Sequence, residues 1–144
     1  MDSFLRLPTT LSIMFLFVVW LFGIWMGGCQ TQEQKEIKRL IGELQDDDVY
    51  VCSNAAYTLG NIGSGAKDAV PALIRILQGN DGDVRINAAY ALGQIGLGAK
   101  DAALALIRVL QDQDWDVRSN AAYTLGRINT PEALKAVKGY ESQQ

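Results

Sequence analysis

Few residues in this chain could do chemistry, and their spacing narrows what that chemistry is. There is no histidine, which removes the commonest general base and the commonest zinc and iron ligand. The two cysteines, Cys29 and Cys52, cannot build a disulfide framework. They could form one bridge or have separate fates, and their surroundings favour the second. Asp46-Asp47-Asp48 is the one dense acidic cluster. No spaced Asp/Asn/Gly loop with a distal Glu follows it, so it reads as a solvated turn with Asp48 capping a helix. Cys52 sits near the start of that helix, where a thiolate is favoured; the alternative, and the preferred reading, is a small buried residue. Tyr57, Tyr90 and Tyr123 recur at a fixed step, and tyrosine offers large contact area for little entropy loss. No motif supplies a nucleophile with its base, a phosphate loop or a metal cage. No catalytic residue is therefore assigned, and neither a metal nor a cofactor is expected.

The elements that must position these residues follow from an internal repeat. Asn54-Ala-Ala-Tyr-Thr-Leu-Gly60 returns as Asn87-Ala-Ala-Tyr-Ala-Leu-Gly93 and as Asn120-Ala-Ala-Tyr-Thr-Leu-Gly126, each time after 33 residues. Leu44-Gln45, Leu77-Gln78 and Leu110-Gln111 keep the same register, as do Asp48, Asp81 and Asp114 and then Val51, Val84 and Val117. Each copy holds two helical patterns. In the middle copy Val84, Ala88, Ala91, Leu92 and Ile95 make one apolar stripe at helical spacing. Asp81 is its predicted N-cap, Asp83 lies in its first turn, and Gly96 and Gly98 are predicted to end it with a left-handed cap. Asp68 and Asp101 are predicted to cap the following helices. The first of these carries Val70, Leu73, Ile74 and Leu77, with Pro71 tolerated in its first turn. Glu36–Gln45 supplies a first helix and Pro131–Lys138 a last, unpaired one, making seven in all. A single hairpin of this kind cannot bury both faces, so the copies must stack. The prediction is an all-α superhelical solenoid of about three and a half repeats over residues 36–140, with a tail at 141–144.

The N-terminus is different in kind. Leu11 to Met26 carries no charge and no proline, and with Gly27 and Gly28 the run reaches 18 residues, near the lower limit for a spanning helix. Residues 1–28 therefore read as a signal peptide or membrane anchor and residues 29–35 as a polar linker. Net charge is −3 and no Lys/Arg-rich block occurs, which argues against a nucleic-acid partner.

Two resemblances enter on these residues. Met26-Gly27-Gly28-Cys29 resembles a bacterial lipobox, with Met26 where leucine is commonest. The resemblance implies lipidation of Cys29, cleavage before it and a place in the cell envelope. An uncleaved single-span anchor is the alternative, and the positive residues Lys35, Lys38 and Arg39 would then place the C-terminal part in the cytoplasm. The string from Asp81 through Asp83-Val84-Arg85, Asn87-Ala88-Ala89, Ala91-Leu92-Gly93 and Ile95-Gly96 resembles HEAT repeats, more narrowly those of the phycobilisome lyase group. Cys52 departs from that pattern, standing where Arg85 and Arg118 stand in the other copies.

In a HEAT stack the second helix of each pair lines the concave face. The resemblance thus implies a ladder of Tyr57, Tyr90 and Tyr123 there, about 10 Å from helix to helix, with Asn61, Gln94 and Arg127 beside it. The competing reading is that each ring only shields the stack. Trp115, in place of Val49 and Gly82, is a further candidate contact or a packed cap. Asn54, Asn87 and Asn120 are expected to bond loop backbone of the adjacent repeat, and Arg85 and Arg118 to bond the turns at Asp81 and Asp114. The leading expectation is a membrane-anchored scaffold that holds a protein partner. The alternatives are a bilin-handling accessory of the lyase type and a structural spacer, and self-association through the last helix stays open.

Overall fold

The computed structural model describes residues 32–143; the apolar run 11–28, Cys29 and Thr31 lie outside the described residues. Residues 37–144 form one unit. The described segments are helical throughout: α1 (residues 32–43), α2 (Val49–Ile62), α3 (Val70–Ile76), α4 (Gly82–Ile95), α5 (Ala103–Val109), α6 (Trp115–Ile128) and α7 (Pro131–Glu141), with 3-10 segments at Gly63–Ala69 and Gly96–Ala102. The seven predicted helices are all present.

Their boundaries follow local chemistry. Asp48, Asp81 and Asp114 each sit extended before a second helix, and each carboxylate accepts a first-turn amide, from Tyr50 at 2.8 Å, Val84 at 3.1 Å and Asp116 at 2.8 Å. Such a cap contributes about 1 kcal/mol. Gly63 (φ +67°) and Gly96 (φ +65°) end α2 and α4, in a backbone region that a side chain would strain. Gly98 has no positive φ, so the expected pair of capping glycines reduces to Gly96 alone.

Asp68 and Asp101 do not cap as predicted. They lie inside the 3-10 segments, and α3 and α5 begin after Ala69 and Ala102 with no side-chain cap. A helical segment already precedes each of these starts, so its carbonyls take the amides that a side chain would otherwise satisfy. The expected linker also changes. The described residues are already helical at 32, ahead of the expected start at 36, because Gln, Glu and Lys are good helix formers.

Helices α2, α4 and α6 pack side by side; α3 packs on α4, α5 on α6, and α7 on both α5 and α6. One core cluster runs through all of them, from Ile37 and Leu40 in α1 to Ala133 in α7. Bulky Leu73 and Leu106 come from the first helices, and small residues such as Ala88, Ala89, Ala91 and Ala121 from the second, each fully buried. This size contrast lets the second helices approach closely. Two glycines set the limit. A Cβ on Gly60 would lie 2.9 Å from Tyr90 Cε1 and 3.1 Å from Ala91 Cα, and one on Gly93 would lie 2.9 Å from Thr124 Oγ1.

Candidate functional site

The second-helix face carries the tyrosines, because their position in each copy lies opposite the buried Val/Ala/Leu stripe. The rings of Tyr57 and Tyr90 are stacked, with centroids 5.7 Å apart and planes at 17°. That is well inside the spacing of about 10 Å expected from helix packing alone. The reason is the glycine in the preceding helix: Tyr90 lies across Gly60 and leans towards Tyr57. Tyr57 is half exposed and Tyr123 is 61% exposed. Among the described residues stacking joins Tyr57 and Tyr90 only, so the expected ladder is one stacked pair and one projecting ring.

The neighbouring polar residues are partly committed to one another. Arg127 donates to the side-chain Oε1 of Gln94 at 2.9 Å, and the Tyr90 hydroxyl approaches the side-chain Oδ1 of Asn61 at 3.5 Å. Each bond ties one repeat to the next. Trp115 is the first residue of α6 and is 59% exposed, which places it on the surface rather than in a packed cap. Sequence reasoning missed Tyr50, which is 79% exposed. It precedes Tyr57 by two helical turns and so lies on the same face. Tyr50, Ser53, Asn54, Tyr57 and Asn87 line a cavity of about 220 Å³.

The asparagines do not reach the neighbouring loops as expected. Asn87 donates to Ser53 Oγ at 2.6 Å, helix to helix, and Asn120 donates to the Asp116 carbonyl of its own helix at 2.9 Å. At their place in mid-face an amide meets the adjacent helix before any loop.

The turns before the second helices form a ladder. Arg85 donates to the carbonyls of Gly79 and Asn80 at 3.0 and 2.9 Å, and reaches Asp112 of the following turn at 3.0 Å through Nη2 and 2.9 Å through Nε. Arg118 repeats the carbonyl half, donating to Asp112 at 2.8 Å and Gln113 at 3.0 Å. The arginines thus bond turns as expected, but the carboxylate partner is Asp112, not Asp81 or Asp114, which are occupied as caps. Burial by itself pushes the Asp112 carboxyl up. The Asp114 amide, the Arg85 guanidinium and the charge of Arg118 outweigh it and hold the group below its ordinary value.

Cys52, at the position of Arg85 one repeat earlier, is buried, and its thiol lies 3.5 Å from the Leu44 carbonyl. Burial, helped by Asp46, pushes this thiol up. It stays protonated at neutral pH and is a packed residue rather than a reactive one.

Comparison with known proteins agrees with this architecture. A family model described as HEAT repeats matches residues 37–105 and again 71–141. No curated protein matches the chain. Three solved structures of engineered proteins from a structural genomics consortium share the fold. Two are 27% identical, with TM-scores of 0.56 and 0.58, and they align over 73% and 74% of this chain and 51% and 52% of their own length. The third is 29% identical, with a TM-score of 0.53, over 73% of this chain and 30% of its own. The chain spans about half the length of the first two.

Proposed function

Because the chain belongs to the HEAT-repeat family, whose repeats generally hold other proteins, we propose that its second-helix face is a docking surface for a protein partner. The observation that carries this reading is the exposed aromatic set on that face. Tyr50, Tyr57, Tyr123 and Trp115 are 79%, 48%, 61% and 59% exposed, on rigid helices whose order is fixed by the stack beneath. Large rings held at low entropy cost are the residues that anchor interfaces. Arg127 and Gln94, already paired across repeats, supply a polar edge to the same surface. The apolar run 11–28 followed by Cys29 supports a membrane tether for this scaffold in the bacterial cell envelope. Among the described residues no helix is long and apolar enough to cross a membrane, so a tether belongs to that run.

Site-specific photo-crosslinking in cells tests the docking surface. A photoreactive residue at Tyr50 or Tyr123 should give a discrete protein adduct, and one at Arg108, on a first helix, should not. Replacing Tyr50, Tyr57 and Tyr123 together by Ala should abolish the adduct formed from Trp115 while leaving the helical circular dichroism intact. Equal adducts from both sides, or an adduct indifferent to the triple replacement, would reject this surface in favour of a spacer. Bilin absorbance dependent on the same tyrosines would favour the chromophore-handling alternative.

A further inference from the structure

The junction between the first two repeats differs from the next one at both ends of the same ion pair. At the second junction Arg85 fills the groove between turns, bound to the carbonyls of Gly79 and Asn80 and to the Asp112 carboxylate. Thirty-three residues earlier the corresponding positions hold Cys52 for Arg85, Asp46 and Asp47 for the two residues whose carbonyls accept, and Gly79 for Asp112. The turn itself is conserved in form. Asp46 accepts the Asp48 amide at 2.9 Å, as Asp112 accepts that of Asp114 at 2.9 Å. Only the guanidinium and its carboxylate are missing, and they are missing together.

A cavity of about 410 Å³ lies at this junction, floored by Leu44, Cys52, Ile76 and Val84 and edged by Asp46, Asp81 and Arg75. The matching groove at the second junction has a similar volume but has the Arg85–Asp112 pair as part of its wall. Cys52 spends its one polar contact on Leu44. An apolar floor under a rim that carries two carboxylates, Asp46 and Asp81, against the one cation Arg75 suits a side chain with a methylene stem and a flat, multiply donating cationic head.

We propose that the first junction is a docking site for an arginine side chain supplied by another protein. The incoming stem lies over Cys52, Ile76 and Val84, and the guanidinium takes the place that Arg85 takes one repeat later, with the Asp46 and Asp47 carbonyls as acceptors and the Oδ2 atoms of Asp46 and Asp81 beside them, the Oδ1 of each being taken by a backbone amide. The chain itself provides the template, since its second and third turns both hold a guanidinium on the equivalent carbonyls. The charge around Cys52 is consistent: Asp46 acts on it more strongly than Arg75 opposes. The site lies at the turns, so it goes beyond the aromatic face and does not depend on it.

The test is NMR titration of the isotopically labelled full chain with N-acetyl-arginine-N′-methylamide, with the lysine and the neutral citrulline counterparts as controls. Shifts should centre on the amides of Asp46, Cys52 and Val84. The lysine probe should bind about tenfold more weakly, because a point charge cannot bridge the carbonyls as a fork does. Asp46→Asn with Asp81→Asn preserves the turn acceptor at 46 and the helix cap at 81 and should weaken arginine binding by a similar factor. Cys52→Arg with Gly79→Asp rebuilds the internal pair and should abolish binding; if that variant does not fold, the Asn pair decides alone. Arg75→Ala should leave binding unchanged or tighter. Equal response to the citrulline probe, shifts elsewhere, or loss of binding in Arg75→Ala would overturn the proposal. Binding retained in the Tyr50, Tyr57, Tyr123 triple variant separates this site from the aromatic face.

Discussion

Arg85 and Asp112 meet between the second and third turns with their side chains only 15% and 14% exposed. The folded-state pKa of Asp112 is depressed, so its contribution to stability is present above the ordinary carboxylate pKa and is lost as pH falls through the depressed value. Asp112→Asn keeps the turn and removes the charge. It should cost about 2 kcal/mol at neutral pH, and the gap from the parent chain should close in acid as Asp112 protonates. Urea unfolding at several pH values checks this, and a pH-independent gap would mean that the pair contributes nothing through charge. The arginine ladder was legible in the sequence because Arg85 and Arg118 keep the register of the turns. Its carboxylate was not, because the period puts Asp81, Asp112 and Asp114 equally near and only side-chain reach selects Asp112. Tyr50 was not legible for a related reason: it has no counterpart in the other copies, where Asp83 and Asp116 stand at its position.

At the scale of the helix, the glycines of the shared Leu-Gly step are equivalent in sequence and unequal in structure. A methyl group on Gly93 would press on Thr124 Oγ1, which is buried and held by its bond to the Ala89 carbonyl at 2.8 Å. The same group on Gly126 meets nothing within 4 Å. Gly93→Ala should therefore destabilise by about 1–2 kcal/mol, overpacking outweighing the gain in helix propensity, while Gly126→Ala should stabilise by about 0.5–1 kcal/mol. Thermal melts of the two variants should move in opposite directions; movement in the same direction would show that helix spacing is looser than these contacts imply. The second helices were readable from Asp caps and apolar spacing. The 3-10 segments were not, since in Gly63–Ala69 and Gly96–Ala102 a positive-φ glycine is followed at once by residues such as Ala66 and Ala99 that the stack buries. Tertiary burial, which local sequence does not display, keeps these segments wound.

For the molecule as a whole, the period of 33 residues was enough to specify the stack, because each copy needs a neighbour to cover it. The middle of the array shows this: α4 buries seven residues, Val84, Ala88, Ala89, Ala91, Leu92, Gly93 and Ile95, whereas α7 at the edge buries Ala133 alone. Where the array resides is a separate matter, and the tether proposed for it is residues 11–29. If the tether is of the lipoprotein kind, mass measurement of membrane-extracted protein should show loss of residues 1–28 and a diacylglyceryl group on Cys29. An intact, unmodified N-terminus would leave the single-span anchor instead and put the docking face on the other side of the membrane.

The turn at Asn129 has a consequence of its own. Asn129 takes a left-handed conformation (φ 55°, ψ 35°), and Thr130 caps α7 at once, with Pro131 as its first residue. The 3-10 stretch that follows α2 and α4 is skipped, so α7 begins several residues early and presents Gly139 where the register would put a counterpart of Leu73 and Leu106. The two sides of Asn129 therefore receive an added repeat differently. A copied module inserted ahead of Asn129 should find complementary neighbours on both sides, while one joined behind α7 in the register of α3 and α5 should meet a mismatched seat and dock less well.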